Sequence, residues 1–173
     1  MKKVIRKLLA VSLTAFAIVS LTGCGMRPAS VPAENKVQIS KFENTSSGIQ
    51  AICKTLKDKE YVGDDCVEMY ATAIGAEKGY RFDNLKVNGS VFAMEIYEFK
   101  DTENTLAKTV INSVKKDGSF DMYGRTVQYC HMSDNGKYLL IYPDTKSLSN
   151  KGDDVENATK LKEVLEIINK AKT

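Results

Sequence analysis

The chain has 173 residues, 25 Lys+Arg against 22 Asp+Glu for a formal charge of +3, one histidine, four cysteines and no tryptophan. A single histidine excludes multi-histidine metal sites, and near-balanced charge excludes the basic footprint that nucleic acid requires. The length suits one domain with a real core rather than two.

In chain order, Lys2, Lys3, Arg6 and Lys7 precede an apolar run from Leu8 to Leu21, closed by Thr22, Gly23 and Cys24. A basic start, an apolar stretch of this length and small residues at its end describe a secretory signal rather than a spanning helix, and no stop-transfer pattern follows. Leu21-Thr22-Gly23-Cys24 resembles the lipobox of bacterial lipoproteins. The resemblance implies cleavage between Gly23 and Cys24, with lipid on the Cys24 thiol and then on its new amino group. Localisation follows: the cell membrane, lipid-anchored on the extracytoplasmic face. Four of the basic residues and none of the acidic ones lie in residues 1–23, which leaves 21 against 22 in the mature chain. The positive balance therefore belongs to the export signal, and no nucleic-acid partner is expected.

Residues 24–40 read as the lipidated cysteine and an extended tether, with Pro28 and Pro32 and no apolar period. Residues 41–173 form the single domain. Thr45, Ser46 and Ser47 offer capping hydroxyls, and Ile49, Ile52, Cys53 and Leu56 then recur at helical spacing. A second short helix is expected from Gly63-Asp64-Asp65, with Val67, Tyr70, Ala71 and Ile74 on one face and Gly75 near its end.

From Gly79 the period becomes two. Tyr80–Val87 and Ser90–Phe99 flank Asn88-Gly89, a strong hairpin signal. Pairing about that turn sets Leu85 opposite Phe92 and puts Met94 and Ile96 on the same face. Tyr80 and Phe82 then fall one step out of phase, which a bulge at Asp83-Asn84 restores. Asp101-Thr102 is expected to cap a helix striped by Leu106, Ala107, Val110, Ile111 and Val114, with Gly118 as its C′ glycine. Strands at Ser119–Tyr123, Arg125–Met132 and Lys137–Tyr142 follow, turning at Gly124 and Asn135-Gly136. A last helix opens at Asp153 with Glu156 at capping-box spacing, and its stripe is Val155, Ala158, Leu161, Val164, Leu165 and Ile168. Hairpins without βαβ alternation argue for an α+β fold: an antiparallel sheet of about five strands, helices packed on one face, in the order α-α-β-β-α-β-β-β-α.

His131 adjoins Cys130, but neighbours in a strand point to opposite faces, so the two cannot act as base and nucleophile. Pairing about Asn135-Gly136 groups Cys130, Met132, Leu139 and Ile141 as core. The other face, Tyr129, His131, Tyr138, Leu140 and Tyr142, is the candidate binding face for an apolar or aromatic group or a protein; the competing reading is that a helix covers it. With Cys24 lipidated, Cys53, Cys66 and Cys130 allow one disulfide at most. Cys53 with Cys66 is the candidate, although an antiparallel helix pair would offset them by roughly 7–9 Å, and three small buried hydrophobes is the better reading.

Carboxylates come in pairs, but Asp64-Asp65 and Asp153-Asp154 sit at expected helix starts, while Glu95 and Glu98 point to opposite faces of one strand. No catalytic residues, no metal ligands and no cofactor are assigned: calcium-loop, P-loop and Gly-x-Ser-x-Gly patterns do not occur. Ile74-Gly75-Ala76-Glu77-Lys78-Gly79-Tyr80 and Glu95-Ile96-Tyr97-Glu98-Phe99 resemble stretches in small predicted lipoproteins of low-GC Gram-positive bacteria, a family of unknown function. The resemblance implies a shared domain and an envelope location, with no catalytic residues to carry over. The leading expectation is a lipid-anchored, non-catalytic binding or interaction module with a protein or small-molecule partner. The alternatives are a small envelope enzyme using a cysteine or carboxylate, or an accessory subunit of a membrane complex.

Overall fold

A computed structural model of the chain describes residues 36–87, 90–143 and 155–172. Leu21–Cys24, the tether up to residue 35, the Asn88-Gly89 turn and the Asp153 cap lie outside the described residues. The fold is α+β. Among the described residues, eight strands form a six-stranded antiparallel sheet and a separate two-stranded one, with three α-helices. The strands are β1 (Lys36–Gln38), β2 (Asp65–Glu68), β3 (Lys78–Val87), β4 (Ser90–Glu98), β5 (Phe120–Met122), β6 (Arg125–Val127), β7 (Cys130–Met132) and β8 (Tyr138–Ile141). The helices are α1 (Gly48–Asp58), α2 (Thr105–Asp117) and α3 (Val155–Asn169). The main sheet runs β1-β2-β3-β4-β8-β7, and β5 pairs with β6.

The hairpin follows its sequence pattern closely. Leu85 pairs with Phe92 and Phe82 with Met94, and the register shifts between them. Asn84 takes φ +61°, the left-handed backbone that an amide side chain tolerates. The bulge thus puts Tyr80, Phe82, Phe92, Met94 and Ile96 in one apolar cluster.

Four expectations are corrected. The second helix is instead strand β2 followed by a short 3-10 turn at Ala71–Ile74. Cys66 and Val67 are both buried although they point to opposite faces. A strand covered on both sides reads as a short apolar run, which periodicity alone cannot separate from a helix. Secondly, the sheet takes in residues 36–38, and Ile39 is buried, so residues 36–40 are folded chain rather than tether. Thirdly, Arg125–Met132 is two strands. Tyr129 at φ +60° turns the chain out of the β5–β6 sheet and into the main one, and its carbonyl accepts from the Tyr142 amide at 3.0 Å. Lastly, helices cover both faces. α1 and α3 pack with the 3-10 turn at Ile39–Phe42 on one face, and α2 packs on the other with Ala71, Ile74 and Phe120.

Local signals place α1 and α2 well. Ile49, Ile52, Cys53 and Leu56 are the buried side of α1. α2 starts slightly later than expected: Asp101 Oδ1 accepts from the Glu103 and Asn104 amides, and Asn104 is the actual cap, accepting from Leu106 and Ala107. Gly118 closes it at φ +63°. In α3, Val164 and Ile168 are buried, but Asn157 rather than Ala158 turns inward.

Candidate functional site

The register sets His131 opposite Leu140 and Cys130 opposite Ile141, as expected, while Tyr129 and Tyr142 lie just outside the two strands. That face is not open. Tyr138, Leu140 and Tyr142 are 0–2% exposed, because α1 and α3 lie over them. His131, on the edge strand, is half-buried, and burial lowers its pKa. Tyr129 is drawn out of the strand by its left-handed backbone. Tyr138, Leu140 and Tyr142 are a core layer, His131 is an edge residue and Tyr129 a half-buried turn residue, so the five do not form one open binding surface.

The thiols fare similarly. Cys53, Cys66 and Cys130 are free and buried. Burial raises the thiol pKa of all three, to about 12 for Cys66 and Cys130. A nucleophilic cysteine needs an exposed, electropositive setting that holds the thiolate, and these have the reverse. These three residues therefore lend the thiol version of the enzyme alternative no support. Among the described residues, no group of three or more His, Cys, Asp or Glu side chains is arranged to hold a metal.

What the sheet brings together is polar and lies on both its faces. Glu95 and Glu98 point to opposite sides, as strand alternation requires, and each meets a tyrosine. On the α1 side, Tyr138 Oη donates to Glu98 Oε1 at 3.3 Å, and the Gln50 amide donates to Tyr80 Oη at 3.2 Å. Burial first, then the Glu98 charge, pushes the Tyr138 pKa up to about 12. On the α2 side, Tyr97 Oη donates to Glu95 Oε2 at 2.7 Å, while Arg81 Nε donates to Asp83 Oδ1 at 2.7 Å. Arg81 stands opposite Glu95 in the ladder. Burial raises the Glu95 pKa, and the Tyr97 hydroxyl and the Arg81 charge oppose that shift. Gly79 makes room for this arrangement. It lies opposite Tyr97, and a Cβ there would sit 2.5 Å from the tyrosine ring.

Two concavities flank the α1–α3 layer. One is a groove of about 540 Å³ between α1 and α3, with Ile52 and Ile167 in its floor and Lys59, Glu163, Glu166 and Lys170 on its walls. Across it the Tyr61 hydroxyl donates to Glu163 Oε2, and this bond is the main cause raising the Tyr61 pKa to about 12. The other, of about 330 Å³, lies between the hairpin bulge and α3, and Tyr61 is a wall of both. Sequence reasoning did not find either, because each depends on α1 lying beside α3 and nothing in the two stripes announces that adjacency.

No known protein family, curated protein or solved structure matches this chain. No helix among the described residues is long and apolar enough to cross a membrane.

Proposed function

We propose that the chain is a lipid-anchored extracytoplasmic protein whose domain is a non-catalytic binding or interaction module. The observation that carries the reading is the order of features in residues 1–24: basic residues, apolar run, then Leu21-Thr22-Gly23-Cys24. Two acyl chains or more anchor stably where one holds only marginally. The lipid therefore fixes the domain at the membrane and needs no spanning helix. The groove between α1 and α3 is the binding surface in this reading. Its volume falls within the range of small-ligand sites, and its floor is apolar with charged walls.

The test is metabolic labelling with an alkyne-tagged fatty acid. The parent chain is expected to take up label and run as the processed form, and Cys24→Ser to lose label and accumulate as precursor. Normal processing of Cys24→Ser would overturn the anchor. For the groove, amide exchange of the full chain is measured with and without envelope extract. Protection expected at α1 and α3, and lost on Ile167→Asp, supports it; protection elsewhere refutes it.

A further inference from the structure

The groups with chemistry left over are the three thiols, and the sheet divides them. Cys130 lies on the α2 side with Val114, Phe120 and Leu139, whereas Cys53 and Cys66 belong to one cluster on the α1–α3 side. The sheet between them bars Cys130 from either partner, so only one pairing of the three remains.

Two fixed points bring that pair together. The Gln50 amide pins α1 to Tyr80 on β3. Cys53 stands three residues further along, on the same face of the helix, an advance of about 4.5 Å. On β2, Glu68 pairs with Tyr80, and Cys66, two residues earlier, turns to the same side of the sheet. Its thiol donates to the Val37 carbonyl at 3.7 Å, inside the cluster rather than toward solvent. Continuing that register sets Cys66 across from Phe82 and diagonal to Tyr80, so Cys53 from the helix and Cys66 from the neighbouring strand both pack on this pair of rings. The two thiols are close enough to each other, and to Tyr80, for ionising one to disfavour ionising the next.

We infer that Cys53 and Cys66 are a dithiol–disulfide pair that staples α1 to β2 when the chain meets an oxidising exterior. The inference rests on the export reading for its oxidant, a low-molecular-weight or protein disulfide. One thiolate attacks that disulfide, giving a mixed disulfide and one free thiol. The second thiolate then displaces the other half. Two protons and two electrons leave the pair, the oxidant's S–S bond is reduced to two thiols, and one new S–S bond forms. The buried thiols are poor nucleophiles, so the bond is made while the chain folds, and burial then shields it from reductant. A relaxed bridge holds its Cα atoms about 4.4–6.8 Å apart, so closure draws α1 onto β2 around Tyr80.

The test is refolding of the full chain in glutathione buffers of graded ratio, in native buffer and in urea, then alkylation and tryptic peptide mapping. Cleavage at Lys54 and Lys59 separates residues 42–54 from 60–78, so the bridge appears as one linked species. The expected result is a linked 42–54/60–78 peptide whose effective concentration against glutathione is about 100-fold higher in native buffer than in urea. A ratio of one or less overturns the pairing, and so do linked peptides carrying Cys130 in comparable yield. Because the oxidant is supplied, this outcome is independent of Cys24 labelling, which tests the export reading alone.

Discussion

Gly79→Ala probes the polar arrangement on the α2 side most sharply. The added methyl would lie 2.5 Å from the Tyr97 ring, and Met69 Cβ is only 3.3 Å away on another side, so Tyr97 has to swing. Forcing one extra carbon into packed surroundings costs about 1–3 kcal/mol. Moving Tyr97 also removes the 2.7 Å bond to Glu95, and a hydrogen bond to a charged group contributes about 1.5–3 kcal/mol. The two losses together predict a destabilisation of about 3–5 kcal/mol, read as a lower urea midpoint at unchanged slope. A double-mutant cycle with Tyr97→Ala separates this from a generic glycine effect. With no ring to strike and no hydroxyl to lose, Gly79→Ala should then cost under about 1 kcal/mol, a coupling of at least about 2 kcal/mol. Full additivity, or a single-variant cost below about 1 kcal/mol, would refute the claim that Gly79 exists to seat Tyr97 against Glu95.

Three further outcomes are expected. Leu140→Ala should cost about 2–5 kcal/mol by urea unfolding, as a fully buried residue does, and His131→Ala on the sheet edge markedly less; equal small costs would return the face to an open surface. Glu95 has its folded pKa raised above the unfolded value of about 4.5, so the folded state holds the proton longer and Glu95 subtracts stability as pH rises through that window. The stability of Glu95→Gln relative to the parent should accordingly increase as pH rises above about 4.5, and a flat difference across pH 4–8 would contradict it. At the bulge, Asn84→Val should cost about 1–2 kcal/mol through left-handed backbone while Asn84→Gly stays close to parent, and equal unfolding midpoints would show that the bulge relaxes freely.

Where side chains repeat at a fixed period on a long element, the sequence foretells the structure. The β3–β4 register, the bulge at Asp83-Asn84, the stripe of α2 and the opposed faces of Cys130 and His131 all follow from spacing. Residues 63–74 do not: Val67, Tyr70, Ala71 and Ile74 fit a helical stripe, yet only Val67 lies in β2, Ala71 and Ile74 fall in the 3-10 turn, and Tyr70 is exposed, so helical spacing here conceals a strand. Only pairing with β1 and β3 decides between helix and strand, and that contact is remote in sequence. The same limit applied to the tyrosine face. Alternation correctly grouped Tyr138, Leu140 and Tyr142, but whether a helix lies over them depends on where α1 and α3 dock.

The polar chemistry shows how near the sequence came to the internal networks. Glu95 and Glu98 are three residues apart on a strand, which dismisses them as a catalytic pair and says nothing of what each meets. Glu95 meets Tyr97, two residues on and on its own face, a partner legible from strand period alone. Glu98 meets Tyr138, brought from forty residues away by the β4–β8 ladder. Both tyrosines donate, so each half-buried carboxylate keeps a hydrogen bond where water is partly excluded. The two pairs are therefore best understood as what lets a six-stranded sheet carry acids on both faces beneath covering helices. The groove walled by Lys59, Glu166 and Lys170, the binding surface proposed above, differs in leaving its polar groups open to solvent.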